Sequence, residues 1–220
     1  KPVALFSLEM TKQELVERFL SSEARLDASK LRRGAIADRD WEKIGHAMGV
    51  LHELPIYLDD AGAVTVTEIR SRLRRLKSAH GLACVFIDYL QLVRPATLGK
   101  VVNRNEELSD ICRTLKATAK DLEIPVIALA QLNRAVETRA DKRPLLSDLR
   151  DSGAIEQEAD IVTFLYRDVY YNKETSPEPD ATELIIAKHR NGKVGTIKLR
   201  FQPEHTLFVP YGDESHYPNP

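Results

Sequence analysis

Several polar side chains in this sequence stand directly behind short apolar runs. Glu9 follows Val3-Ala4-Leu5-Phe6-Ser7-Leu8, and Asp88 follows Cys84-Val85-Phe86-Ile87. Gln131 follows Val126-Ile127-Ala128-Leu129-Ala130. Lys188 and, two residues on, Arg190 follow Leu184-Ile185-Ile186-Ala187. Ligands of open α/β sheets bind beyond the carboxyl ends of the strands, so runs of this kind are expected to deliver their polar groups to one edge. One carboxylate could polarise a water and another could hold a divalent cation. An amide could sense a terminal phosphate, and the cations could meet developing charge. Together these are the needs of phosphoryl transfer. Each group alone has a plainer reading: Asp88 as the start of a turn, Glu9 and Gln131 as solvated residues, Lys188 and Arg190 as surface charge. Only their convergence on one edge favours chemistry.

The elements that must position them are readable from period and caps. Thr11 and Glu14 form a capping box ahead of Leu15, Val16, Phe19 and Leu20 at helical spacing. Asp38 opens a second helix with Trp41, Ile44, Met48 and Leu51 on one stripe. Pro55-Ile56-Tyr57-Leu58 reads as a short strand ended by Asp59 and Asp60. Thr65 and Glu68 form another capping box before Ile69, Leu73 and Leu76. Leu108, Ile111, Cys112, Leu115, Ala119 and Leu122 mark a long amphipathic helix. Residues 95–103 and 173–180 read as loops, and 133–150 as a long charged connection without period. Runs at 161–166 and 184–187 are strands. Residues 194–201 alternate imperfectly, which suits an antiparallel edge strand, and the tail from Tyr211 reads as disordered. Strands alternating with helices, and near-continuous apolar strands, predict an α/β fold with a mainly parallel sheet.

Composition narrows the class. The chain has 220 residues, 43% hydrophobic and 30% charged, which excludes a disordered protein. Lys and Arg number 32 against 33 Asp and Glu. The net charge of -1 excludes a strongly basic DNA-coating protein but leaves room for a local basic track. Two cysteines, Cys84 and Cys112, form neither a disulfide framework nor a zinc spacing and read as small hydrophobes in a reducing compartment. Apolar runs such as 125–130 fall far short of the roughly 20 residues that span a bilayer. No signal peptide is visible, and the character is cytosolic. The chain opens on Lys1 and runs straight into a strand, so it reads as a piece of something longer. Arg70, Arg74 and Lys77 share a helical face with Arg72 and Arg75 nearby; a solvated face is the plainer reading, a DNA or subunit surface the alternative.

The runs FSLEM, IDYLQL, ALAQLNRA, SDLRDSGAIEQEAD and AKHRNG stand in the order found in replicative DNA helicases of the DnaB type. The resemblance extends from Val3 to about Val209, and SDLRDSGAIEQEAD is its most specific part. The chain resembles the C-terminal, RecA-like motor domain of such a helicase, over residues 1–210. The resemblance implies an α/β RecA-like P-loop ATPase core, a mostly parallel sheet flanked by helices, with antiparallel strands near the C-terminus. It also implies ATP and Mg2+ as cofactors, single-stranded DNA as partner, and a homohexamer that works with a primase and a helicase loader. The location implied is the bacterial cytoplasm, at nucleoid replication forks, with no membrane.

Residue by residue, Glu9 matches the glutamate that activates the attacking water, Asp88 the metal-holding Walker B aspartate, and Gln131 the sensor of the terminal phosphate. Arg18 matches a nucleotide-contacting arginine. Lys188, His189 and Arg190 match a trio that reaches into the neighbouring subunit's nucleotide site, with His189 standing where glutamine is usual. Arg150, Asp151 and Gly153 match the loop that touches DNA phosphates, with Asp151 standing where glutamate is usual. An arginine there supplies charge, and a glycine lets backbone N–H groups approach a phosphate.

The family's phosphate-binding loop, G-x-x-x-x-G-K-[ST], does not occur; the nearest approach, Gly99-Lys100, is followed by Val101. In the RecA-like fold that loop precedes the strand that opens this chain. The expectation is therefore that the sequence starts after it, and that this chain alone does not hold ATP normally. Two other readings stay open: another RecA-like hexameric ATPase such as a recombinase, or a non-catalytic subunit that binds DNA or stabilises a ring.

Overall fold

The computed structural model describes residues 1–96 and 103–212, and of residues 150–152 the backbone only. Gly99, Lys100 and Val101 lie outside the described residues, as does the expected tail from residue 213 on. The chain forms two compact units: Lys1–Val16 with His52–Ala159, and Glu17–Leu51 with Asp160–Pro220.

The first unit is built on a parallel sheet of four strands, in the order β2-β1-β3-β4. These are β1 (Val3–Ser7), β2 (Ile56–Asp59), β3 (Cys84–Asp88) and β4 (Val126–Ala128). The register places Phe6 beside Asp59, Ser7 beside Asp88 and Ile87 beside Ala128, so the carboxyl ends lie along one edge. Side chains alternate across the strands. Ala4, Phe6, Val85 and Ile87 are buried on one face. Leu58, Leu5, Phe86 and Ile127 form a row across the other face and are only partly covered.

Helices in this unit start at the caps the sequence marks. Thr65 and Glu68 close a full capping box on α4 (Val66–His80), which buries Val66, Ile69 and Leu73. Thr11 and Glu14 do the same at α1 (Lys12–Ala24): the Thr11 N–H donates to Glu14 Oε2 at 2.9 Å, and the Glu14 N–H to Thr11 Oγ1 at 3.3 Å. The long amphipathic helix is α5 (Arg104–Asp121), burying Leu108, Ile111, Cys112, Leu115 and Thr118. The periodless connection holds two 3-10 helices, Arg134–Thr138 and Leu146–Ser152, before α6 (Gly153–Glu158).

The second unit carries the antiparallel sheet β5-β6-β7-β8. Its strands are β5 (Ile161–Tyr166), β6 (Ala181–His189), β7 (Gly195–Gln202) and β8 (Leu207–Pro210). Two expectations change here. The run at 184–187 is the middle of a longer strand in a separate antiparallel sheet, so three of the four polar-ended strands, not all four, share the parallel edge. The strand at 194–201 is an edge only in its first half: β7 pairs with β6 from Gly195 to Arg200, and β8 covers its other side only from Leu199 to Gln202. The unit also holds α2 (Ala28–Arg33), capped by Asp27 and closed by Gly34 at φ 66, and α7 (Asp168–Tyr171). A side chain at position 34 would strain that left-handed turn. Helix α3 (Trp41–Glu53) begins in this unit and buries Ile44 and Ala47. Trp41 and Met48, which share a stripe with Ile44 by period, are 57% and 59% exposed. Among the described residues no helix is long and apolar enough to cross a membrane.

Candidate functional site

Glu9, Asp88 and Gln131 all belong to the first unit and stand at or past the carboxyl ends of three adjacent strands. Their backbones are fastened just beyond the sheet. The Leu8 N–H donates to the Asp88 carbonyl at 2.7 Å, which carries the β1–β3 pairing one residue further and sets Glu9 beside the Asp88 corner. Ser7 Oγ donates to the Met10 carbonyl at 2.8 Å, and the Lys12 N–H donates to the Asp60 carboxylate at 3.1 Å. The Lys12 ammonium adds an ion pair to Asp60 at 3.1 Å. The Lys12 backbone bond is the chief reason that the Asp60 carboxyl titrates below its ordinary range. The turn bearing Glu9 is thus held at both ends.

On the other side, the Leu129 N–H donates to the Ile87 carbonyl at 2.9 Å and the Leu90 N–H to the Leu129 carbonyl at 2.9 Å. These bonds continue the β3–β4 pairing toward Gln131. The Gln131 backbone is gripped by the Gln91 side chain: Nε2 donates to the Gln131 carbonyl and Oε1 accepts the Gln131 N–H, both at 3.1 Å. The side chains themselves are uncommitted. Among the described residues, those of Glu9, Asp88 and Gln131 make no hydrogen bond or ion pair; Glu9 and Gln131 are exposed and Asp88 half-buried. Held backbones with open polar ends suit groups that act on something outside the fold.

Two residues after Gln131, the Asn133 N–H donates to the Asp148 carbonyl at 3.0 Å. Asp148 is a nearly buried carboxylate, its side chain 5% exposed. It accepts two bonds from Arg139, at 2.6 and 2.9 Å, and one from the Leu145 N–H at 2.8 Å. Burial works to raise its pKa, but the Arg139 and Leu145 bonds outweigh burial and hold the carboxyl below its ordinary value. The connection 133–150 is therefore folded around the part-buried Arg139–Asp148 ion pair. It places residues 150 and 151 in the last turn of the 3-10 helix Leu146–Ser152 and Gly153 at the start of α6. The side chains of Arg150 and Asp151 lie outside the described residues. Gly153 is exposed, at φ -51, with open space where a Cβ would stand.

The other candidates lie in the second unit. Arg18 is exposed on α1 and makes no hydrogen bond or ion pair among the described residues. Lys188 and His189 end β6, and Arg190 begins the turn toward β7. The Arg190 N–H donates to the Asp160 carbonyl at 2.8 Å, and its guanidinium sits 3.2 Å from the Asp160 carboxylate. Both side chains of that pair are more than half exposed, so it is worth little. His189 Nδ1 accepts the Asn191 N–H at 3.3 Å, and its ring lies over Gly192. A Cβ at position 192 would meet that ring at 2.7 Å, so any other residue there would push the ring away.

Part of the basic face of α4 is paired within the first unit. Arg70 and Arg74 pair with Asp121 at 2.5 and 3.4 Å, and the Lys77 ammonium donates to the Leu122 carbonyl. These cations neutralise the C-terminal end of α5. Arg72 pairs with Asp59 at the end of β2 at 2.5 Å. Cys112 is buried, and burial, with Glu158 nearby, pushes its thiol up to about 11, so it stays protonated.

For a divalent cation, no cluster of three His, Cys, Asp or Glu residues exists among the described residues. Magnesium does not need one: it is commonly held by one or two carboxylates plus phosphate oxygens and waters. The uncommitted Asp88 carboxylate at the strand end fits that pattern.

Comparison with known proteins bears on this arrangement. The profile of the DnaB-like helicase C terminal domain matches residues 1–210. The chain is 53% identical over 207 residues to the replicative DNA helicase DnaB of Geobacillus stearothermophilus, covering 94% of this chain and 45% of that protein. It is 52% identical over 207 residues to the replicative DNA helicase DnaC of Bacillus subtilis, again covering 94% of this chain and 45% of that protein. The chain thus spans less than half the length of the curated relatives it matches. Among solved structures, it is similar to a DnaB-like replicative helicase described with its interactions with primase. The TM-score is 0.91 and the identity 44%, covering 96% of this chain and 51% of that one.

Proposed function

The chain belongs to the family of DnaB-like helicase C-terminal domains, and from that membership we propose that residues 1–210 are the ATP-hydrolysing motor of a replicative DNA helicase. The whole protein moves along single-stranded DNA and unwinds duplex at replication forks in the bacterial cytoplasm. It does so as a homohexamer, with a primase and a helicase loader as partners. The observation that carries this reading is the trio Glu9, Asp88 and Gln131: three uncommitted polar side chains on pinned backbones at the ends of adjacent parallel strands.

In this reading Glu9 orients the attacking water and accepts its proton, for which an exposed carboxylate on a fixed turn is suited. Asp88 holds the magnesium ion of the bound nucleotide. Gln131 donates its amide N–H to the terminal phosphate and reports its presence. Arg18 contacts the nucleotide. When bound, ATP would supply the phosphoryl group and magnesium would partly neutralise its charge. Lys188, His189 and Arg190 act in trans, on the nucleotide of the adjacent subunit, where a cation placed at the transferring group stabilises developing charge. Arg150, Asp151 and Gly153 form the DNA contact. Contacts to phosphates carry no base information, which suits a motor that must move over any sequence.

The test is magnesium-dependent nucleotide binding by the full-length protein. Asp88→Asn is expected to weaken ATP binding in magnesium while leaving it near wild type in EDTA. Equal affinities of the two proteins in magnesium would remove Asp88 from the site.

A further inference from the structure

Gln91 sits three residues past Asp88, in the 3-10 turn Leu90–Leu92 that leaves β3. Its side chain is half-buried and reaches across to β4's extension, 40 residues away in sequence. There it makes the two-point contact with the Gln131 backbone, one bond given and one accepted, each 3.1 Å long. This is how a neighbouring strand would pair, but β3 has already ended at Asp88. Gln91 itself is anchored: its carbonyl accepts a bond of 2.5 Å from Arg104, which also pairs with Glu107 at the start of α5.

We propose that Gln91 is a positioning residue for hydrolysis, a side-chain clamp that fixes the Gln131 backbone relative to Asp88 so that the Gln131 amide meets the terminal phosphate. The proposal rests on the reading of Gln131 as the phosphate sensor. A primary amide is the side chain that can do this. It offers one donor and one acceptor in the spacing of a peptide group. A carboxylate at 91 would keep the acceptor, lose the donor and face the Gln131 carbonyl with like partial charge. An aliphatic residue would lose both bonds. Gln131 is exposed, so water would satisfy its backbone and the fold would survive. What is lost is the fixed position, and misplacement of a catalytic group by a distant change lowers turnover far more than binding.

The experiment is a double-mutant cycle in the full-length protein with single-stranded DNA, reading kcat and KM for ATP and the thermal unfolding midpoint. Gln91→Leu is expected to lower kcat about tenfold, within the range that misplacing a catalytic group costs. KM stays within about twofold, because Gln91 does not touch the nucleotide and positions a group for the chemical step. The melting temperature is unchanged. In the Gln131→Ala background, Gln91→Leu adds nothing further, since the group it positions is gone. Multiplicative losses in the double mutant would overturn the proposal by showing that Gln91 acts elsewhere. Gln91→Glu is carried in parallel; a folded Gln91→Glu with wild-type kcat also overturns it. A wild-type kcat in Gln131→Ala alone identifies a different failure, that of the sensor reading itself.

Discussion

The parallel sheet of the first unit and the antiparallel hairpin of the second deliver their candidate residues in opposite ways. In the first, the backbone is held and the side chain is left open: Glu9, Asp88 and Gln131 follow parallel strands whose pairing is continued by the bonds of Leu8, Leu129 and Gln91. In the second, Arg190 and His189 belong to an antiparallel hairpin, and their side chains are already occupied. Arg190 lies against Asp160 and His189 folds over Gly192. A parallel sheet ends all its strands on one edge, so it can gather groups from distant sequence positions into a single site. An antiparallel hairpin instead projects neighbouring residues together from one turn. The first geometry suits groups that work on a nucleotide held by the same subunit. The second suits a probe offered to another subunit and released from a weak ion pair when it finds a stronger anion.

The largest expected effect breaks the hairpin side. Arg190→Ala should lower ATP turnover by about 10³ to 10⁵ without unfolding, as expected for an arginine supplied to a neighbour's phosphate; steady-state hydrolysis and a thermal melt check this together. Wild-type turnover would remove the hairpin from the site. Next comes the sheet side. Glu9→Gln should cost about 10² to 10⁴ in turnover, the usual scale of general-base catalysis, with ATP binding kept. Comparable losses in binding and turnover would mean that Glu9 holds the nucleotide rather than the water.

A smaller effect sharpens the contrast through the segment that follows Gln131. Arg139→Ala leaves Asp148 buried without its partner and should destabilise the protein by about 2 kcal/mol at neutral pH, measured by urea unfolding. The folded pKa of Asp148 is lowered from its ordinary 3.8. Its contribution is therefore complete above about pH 4 and fades as the pH falls through the lowered value. The difference between wild type and Arg139→Ala should shrink below that point; a difference that grows there would contradict the assignment. Smallest is the DNA contact. Arg150→Ala should weaken single-strand binding alike for all sequences and reduce the salt slope by about one, in a titration of affinity against salt. An unchanged slope places Arg150 away from the phosphates.

What is legible in the sequence is local. The capping boxes at Thr11 and Thr65 start their helices as expected, because an N-cap is decided within four residues. The strand ends bearing Glu9, Asp88 and Gln131 are marked by apolar runs followed by a polar residue, and the parallel edge follows from their alternation with helices. The departures are choices made over long separations. The 184–187 run of β6 is as apolar as the 84–87 run of β3, and nothing inside it says that it pairs with β5 and β7 in another sheet. Strand β7 resembles an edge in sequence because the four-residue β8 covers only its second half, Leu199–Gln202. The ion pairs of Arg70 and Arg74 are not legible either, since their partner Asp121 lies 51 and 47 residues away. The clamp from Gln91 is hidden for the same reason, although it stands inside the IDYLQL run.

The central claim is that one subunit's sheet edge and another's hairpin complete a single site, and mixing tests it most directly. Arg190→Ala subunits and Glu9→Gln subunits, each nearly inactive alone, are exchanged into mixed rings and steady-state ATP hydrolysis is measured against the mixing ratio. Interfaces that join an intact Glu9 to an intact Arg190 should then appear, and hydrolysis should rise to a maximum near equal proportions, well above either parent. Fully exchanged rings that hydrolyse no more ATP than the two mutants separately would contradict the account.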